Sequence, residues 1–232
     1  MVEHPPLEPP RPELREQPVV PKKTAVLIVD MQNMECGRHL IDRARIDGTP
    51  ESAKRKYFDR LDEEVIPGLR SLIDLARSHS IEVIYTVIES LTLDGRDRSR
   101  DYKISGLHAA KGSWEAKVID ELDAQPNDIL LPKSSSSVFN STIIDYVLRN
   151  LGIEYLIVGG IVGDQCVEST IRDAADRSYL VTLVTDGCAC YSQQDHSAML
   201  ERMIGHYARG RTASEVIDEL KSTRALSAQH EE

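Results

Sequence analysis

Residues 24–30 read TAVLIVD, a nearly unbroken apolar run closed by an aspartate. A strand with one wet face alternates apolar and polar residues, whereas a run without alternation belongs to a strand covered on both sides, as in a parallel sheet flanked by helices. Comparable runs recur at 81–88 (IEVIYTVI), 129–131 (ILL), 155–158 (YLIV) and 180–184 (LVTLV). The intervening segments 65–78, 113–122, 141–150, 165–177 and 194–207 carry helical periodicity. Strands alternating with helices require βαβ crossovers. The expected fold is therefore α/β: three layers, with a doubly wound, mostly parallel sheet and helices on both faces. Such sheets bind ligands beyond the carboxyl ends of their strands.

One domain, residues 23–232, accommodates this pattern. Residues 1–22 hold a proline-rich stretch, PPLEPPRPELREQPVVP; proline removes amide donors and fixes φ, so an extended or disordered arm is expected there, with packing along a neighbouring subunit as the sharper alternative. A net charge of −10 and the lack of any Lys/Arg block argue against a nucleic-acid partner. No leader-like or membrane-length apolar segment is present, so a cytoplasmic protein without membrane association is expected. Cys36, Cys166, Cys188 and Cys190 form no CxxC pair and read as thiols. The histidines form no HxH or HExxH motif, and the glycines form neither GxGxxG nor GxxxxGK[ST], so neither a metal nor a cofactor is expected. Residues 134–137, four serines, suit a loop and a helix entry.

Three residues fall where the topology puts chemistry. Asp30 ends the first strand. Lys133 follows ILLP, where Pro132 is expected to stop the strand and leave the lysine in a loop at the same edge. Cys166 enters a helix behind YLIVGG and a short turn; the free N–H groups and dipole of a helix start favour thiolate and can stabilise an oxyanion. Together they make a mechanism without histidine: Asp30 takes the Cys166 proton, Lys133 stabilises the charges, and the sulfur attacks a carbonyl. Asp30 then protonates the leaving amine and activates the water that cleaves the thioester.

The stretches AVLIVDMQN, LPKSSSSVFNST and GGIVGDQCVESTIRDA resemble the three signature blocks of the isochorismatase-like cysteine hydrolases, in order, and the resemblance spans residues 23–207. That superfamily includes N-carbamoylsarcosine amidohydrolases, nicotinamidases, biuret hydrolases and ureidoacrylate amidohydrolases; HAAKGSW and CVEST are similar to the ureidoacrylate group. The resemblance implies Asp30, Lys133 and Cys166 as the catalytic triad, a cis peptide between Ile161 and Val162, and the amides of Val162 and Cys166 as the oxyanion hole. It implies a small amide, carbamoyl or ureido substrate and a homo-oligomer. Two departures bear on the substrate. Val162-Gly163-Asp164 stands where ureidoacrylate-type members read ATN, and the Asp-x-His metal motif of nicotinamidases is missing.

Four further residues are candidates for substrate contact. Gln32 follows Asp30, Glu89 lies just past the second strand, and Tyr102 and His108 sit in the long connection DGRDRSRDYKISGLHAAKGSW, where they could form a lid. Trp114 is expected to pack. The alternative function is an isochorismate pyruvate-hydrolase, cleaving a vinyl ether with Asp30 as acid. Cys166 speaks against it, because that reaction needs no nucleophile. A non-catalytic interaction protein is the third possibility, and the intact triad weighs against it.

Overall fold

A computed structural model of the chain describes residues 9–38 and 51–228. Two 3-10 turns, Pro12–Leu14 and Pro21–Lys23, lead into β1 (Thr24–Val29), which is followed by α1 (Asn33–Cys36), α2 (Glu51–Arg60), α3 (Ile66–Ser78), β2 (Glu82–Ile88) and α4 (Arg100–Ile104). The chain continues through β3 (Ile129–Lys133), α5 (Val138–Ser141), α6 (Ile144–Asn150), β4 (Tyr155–Gly160) and α7 (Glu168–Asp176). It ends with β5 (Leu180–Cys188), α8 (Gln193–Met203), β6 (Ala208–Arg211) and α9 (Ala213–Ala228). The six strands form one sheet in the order β3-β2-β1-β4-β5-β6, and every pairing is parallel. The chain winds outward from β1 to β3, then returns to β4 beside β1 and winds the other way. Winding direction thus reverses between β1 and β4, and the crevice at their carboxyl ends is the expected binding place.

The apolar runs serve two cores at once. Ala25, Leu27 and Val29 point into one with Leu156, Val158, Leu148 and Ile171; Val26 and Ile28 point into the other with Ile157, Leu69, Leu72 and Val216. Period-2 side-chain direction splits each strand between the two helical layers, which is why polar residues are nearly absent from β1 and β4. Helix α3 buries Leu69, Leu72, Ile73 and Ala76, the i, i+3, i+4, i+7 stripe of a helix lying on a sheet. It continues α2 through a wide π turn at Leu61–Val65, in which the Ile66 amide reaches back to the Leu61 carbonyl. Pro67 follows directly; its ring would strike the carbonyl four residues earlier in a regular helix, and the widened turn makes room for it.

Several elements differ from the sequence expectation. Residues 113–122 are not a helix beyond the 3-10 turn Asp120–Leu122. Their backbone instead runs along the chain that leaves β1: Met34 N donates to Glu115 O at 3.1 Å, Asn33 N to Lys117 O at 3.0 Å, and Ile119 N to Met31 O at 3.1 Å. Long-range backbone bonding overrides the local period. Pro132 lies inside β3 rather than stopping it, tolerated because β3 is an edge strand where a missing N–H goes unused. Trp114 is 53% exposed instead of packed. The described part of the N-terminal arm docks on its own chain. Val19 is buried and its amide donates to Glu219 Oε1 at 2.8 Å, the Arg211–Glu16 ion pair measures 3.0 Å, and Arg15 donates to the Gly205 carbonyl.

Candidate active site

Asp30, Lys133 and Cys166, far apart in sequence, meet at the carboxyl edge of the sheet. The Asp30 amide still pairs with the Thr86 carbonyl at 2.9 Å, as a strand residue does, but its φ of 55° turns the chain left-handed out of the sheet. Aspartate tolerates that region better than most side chains. Its Oδ1 accepts from Thr86 Oγ1 at 3.4 Å, and its Oδ2 lies 2.8 Å from Lys133 Nζ. Lys133 ends β3 in register with Ile88 and reaches across β2 to Asp30, its side chain fully buried. The ammonium also donates to the Tyr102 hydroxyl at 2.8 Å, the Ser135 carbonyl at 3.0 Å and Cys166 Sγ at 3.4 Å.

Cys166 lies in a π turn, Gly163–Val167, that opens α7. Two glycines let the chain pass there. A Cβ on Gly160, whose φ is 124°, would fall 2.1 Å from the Val29 carbonyl oxygen, and one on Gly163 would fall 2.7 Å from Cys190 Sγ. The Ile161–Val162 peptide is cis. The Tyr102 hydroxyl stands 3.6 Å from Sγ and Ser136 Oγ 3.8 Å. Because Lys133 can only donate to the Tyr102 oxygen, the tyrosine proton is available to the sulfur. Ser99 Oγ accepts the Tyr102 amide at 3.1 Å, capping α4 and fixing the ring.

Burial and charge oppose each other here. Burial raises the Asp30 carboxyl above its usual value, against the pull of Lys133. Lys133 is held above its ordinary value, since Asp30 and the sulfur together outweigh the burial that would lower it. Cys166 is pushed up to about 11 by burial, with Asp30 adding to the rise and Lys133 and Tyr102 opposing it. Burial thus favours the thiol over the thiolate, because the lysine charge is shared with Asp30 and the sulfur is taken out of water. Its ionisation must accompany attack, with Asp30 as the hydrogen-bonded acceptor.

A cavity of about 430 Å³ opens over the sulfur, with Asp30, Tyr102 and Cys166 in its lining, and Met34, Phe58 and Ile161 among its apolar walls. Val162, the other expected oxyanion contributor, also lines it, whereas Gln32, Glu89 and His108 do not. The Gln32 amide donates to the carbonyls of Ile88 and Glu115, both at 3.0 Å, and its Oε1 accepts the Ile88 amide at 2.6 Å. It clips the loop after β1 to β2. Glu89 accepts the Gly112 amide at 2.6 Å, and His108 borders a separate small cavity with Gly106, Ser113 and Glu115. Tyr102 belongs to the buried polar cluster and is only 1% exposed. Thr86, Ser136, Glu35 and Phe58 were not anticipated. Only Thr86 left a signal, as the one threonine within the apolar run of β2. No group of three or more potential metal-ligating residues occurs among the described residues, nor is any helix there long and apolar enough to cross a membrane.

The fold and this site define the class: residues 24–216 match the isochorismatase domain, and the chain belongs to the isochorismatase family. Among curated relatives, ureidoacrylate amidohydrolase RutB of Rhizobium rhizogenes is 32% identical over 200 residues, covering 74% of this chain and 73% of the relative. The protein of the same name from Caulobacter segnis is 33% identical over 196 residues, covering 77% and 76%. Among solved structures, a cysteine hydrolase from Pseudomonas syringae pv. phaseolicola aligns over 89% of this chain and 96% of its own, with a TM-score of 0.75 and 26% identity. N-carbamoylsarcosine amidase from Thermoplasma acidophilum aligns over 83% and 98%, with a TM-score of 0.62 and 27% identity.

Proposed function

We propose that this protein is a cysteine-dependent amidohydrolase that cleaves a C–N bond of a small amide, carbamoyl or ureido compound through a thioester. The observation that carries the reading is the contact set under the cavity: Lys133 Nζ lies 2.8 Å from Asp30 and 3.4 Å from Cys166 Sγ. The amidohydrolase and amidase relatives support the same bond class.

In this mechanism the substrate carbonyl sits over Sγ. As the sulfur attacks the carbonyl carbon, its proton passes to the Asp30 carboxylate, and Lys133 and the Tyr102 hydroxyl stabilise the sulfur's developing charge. The carbonyl oxygen becomes an oxyanion received by the amides of Val162 and Cys166. Asp30 returns the proton to the leaving nitrogen, the C–N bond breaks, and an amine or ammonia departs from the thioester. Water then enters, gives a proton to Asp30 and attacks the thioester carbonyl. Collapse of that intermediate releases the acid, and the thiol recovers its proton from Asp30. Lys133 stays charged throughout and keeps Asp30 able to act as a base despite its burial.

The test is ammonia or amine release across a panel of small amides, ureides and carbamoyl compounds, with isochorismate included. Cys166→Ala should lower turnover of the best C–N substrate by about a thousandfold or more. Turnover retained in that variant would overturn the thioester route, and turnover of isochorismate alone would favour the vinyl-ether reaction.

A further inference from the structure

The catalytic cavity has an exposed rim and a buried apolar wall. Asp101 and Ser105 beside α4 and Gln165 in the π turn are exposed where they line it, whereas Phe58, Ile161 and Val162 are buried. These three belong to the core cluster that also holds Tyr57, with Tyr191 packed against it. Behind that wall lies a second cavity of about 740 Å³, with Lys56, Tyr57, Arg60, Ser192 and Gln193 in its lining. Among the described residues, Tyr191 is the one that lines both cavities. Its ring lies 4.8 Å from that of Tyr57, which in turn meets the Phe58 ring edge-on at 5.1 Å. Tyr57 lines the second cavity and Phe58 the first, so the partition between them is a single layer of aromatic rings. The chain on both sides of Tyr191 is anchored. The Ala189 carbonyl accepts the Gly163 amide at 2.8 Å, which ties this loop to the turn that carries Cys166. On the other side Ser192 Oγ accepts the Asp195 amide at 3.0 Å and caps α8. The ring therefore stands at a set place relative to the sulfur.

We propose that Tyr191 is a specificity-determining residue: its ring partitions the two cavities and limits the enzyme to amides or ureides whose non-scissile part is a short aliphatic chain. This rests on the amidohydrolase reading and names the substrate class within it. With the carbonyl oxygen at the amides of Val162 and Cys166 and the leaving nitrogen at Asp30, the third substituent of the carbonyl carbon can turn to the rim or to the wall. Along Phe58, Ile161 and Tyr191 it leaves water, and each buried methylene is worth about fourfold in binding, whereas at the exposed rim it gains little. The chain therefore grows toward the wall until the ring stops it. A methylene forced against packed side chains costs about fivefold or more. Removing the ring joins the cavities and lets a longer chain pass on into the polar lining of the second.

Two ladders of chain length test the partition and keep it separate from the reaction. In the first, Cys166 is alkylated by N-alkyl iodoacetamides from methyl to octyl, each rate divided by that of 2-mercaptoethanol so that intrinsic reactivity cancels. Native rates should rise along the short members and then drop about fivefold or more at one length. Tyr191→Ala should move the drop several carbons further and Tyr191→Leu less far, the leucine keeping the test open if the alanine variant does not fold. Tyr191→Phe, which keeps the ring, should leave the drop in place. A ladder without a drop, or a drop that neither Tyr191→Ala nor Tyr191→Leu moves, overturns the proposal, and so does a drop displaced by Tyr191→Phe. Past the native limit, chains ending in a hydroxyl should outpace methyl-ended chains of equal length in Tyr191→Ala, because they emerge among Lys56, Ser192 and Gln193; the reverse order overturns the passage between the cavities. In the second ladder, kcat/KM for straight-chain primary amides and alkylureas should show the same limit and the same displacement. Turnover indifferent to chain length overturns the inference while leaving the amidohydrolase reading intact. If no amide or ureide turns over but the alkylation ladder behaves as stated, the reaction reading fails and the length limit stands.

Discussion

Removing either charge beside Cys166 should abolish hydrolysis, yet the two removals should move the reactivity of the sulfur in opposite directions. In Lys133→Met the thiolate loses a cation that stands 3.4 Å away. At an effective dielectric of ~20 that attraction is about 5 kcal/mol, or between three and four pKa units. Part of this returns, because Asp30, now without its counterion and only 1% exposed, takes up a proton and stops repelling the sulfur. The carboxylate lies no more than about 6 Å from Sγ, so that repulsion is at least about 3 kcal/mol on the same scale. The net effect is a rise of at most about one to two units, so iodoacetamide labelling of Cys166 at pH 8 should slow, by up to about a hundredfold. Asp30→Asn removes only the repulsion and leaves thiolate as the partner of Lys133. Labelling should then accelerate by up to about a hundredfold, although turnover is lost. Breaking a buried ion pair costs about 3–5 kcal/mol of stability, so melting curves accompany the assay. A double variant, Asp30→Asn with Lys133→Met, carries no charge beside the sulfur and should label at about the rate of Lys133→Met, where Asp30 is already neutral. The assay is mass-resolved labelling of Cys166 against pH. Shifts in the same direction, or none, would show that this pair does not govern the sulfur.

What the sequence made legible follows the range of the forces involved. The unbroken apolar runs of β1 and β4 betray burial on both faces, and this local property carries straight to the parallel sheet and to the edge where Asp30 emerges. The placement of Cys166 is equally local, since a strand, two glycines and a helix start determine it. Lys133 was placed at the right edge for a partly wrong reason: Pro132 does not stop β3, because an edge strand has no use for its missing amide. Contacts made by loops were not legible. Gln32 looked available to substrate, but its amide satisfies backbone groups of two distant segments, and no periodicity marks such a role. Residues 113–122 read as a helix for the same reason, since their apolar spacing says nothing of the backbone partners waiting beside β1. Tyr102 was read for its place in a long loop, whereas its hydroxyl is bound inside the charge cluster. The ionisation of Cys166 was hidden too, because dipole and cation can be read from spacing but the loss of water around the sulfur cannot.

Other consequences can be checked separately. Tyr102→Phe keeps the ring but removes the hydrogen bond that lowers the Cys166 pKa; kcat should fall about tenfold, and the labelling curve should move upward, with an unchanged curve refuting the role. Arg209→Met should destabilise the fold by about 3–5 kcal/mol while leaving kcat/KM intact, since Arg209 is 2% exposed and bonded to Glu219 and Thr182, away from the cavity; an unchanged melting temperature would refute this. A homo-oligomer, implied by the resemblance to the superfamily, should give a light-scattering mass above the 26.0 kDa of one chain, and a monomeric mass at micromolar concentration would refute it. Acid sensitivity has a source outside the active site. His196 is 3% exposed and its Nε2 faces Arg60 at 3.2 Å; burial first and the guanidinium second lower its pKa from 6.5 to about 4. As pH falls below 6.5 the unfolded chain takes up this proton while the folded one does not, so stability is lost between about pH 6.5 and about pH 4 and is fully present above that window. The loss amounts to about 1–3 kcal/mol. His196→Gln should therefore show a smaller drop in melting temperature between pH 7.5 and pH 5 than the native protein, whereas carboxylates elsewhere lower both alike. Equal drops would mean that His196 does not titrate differently in the two states.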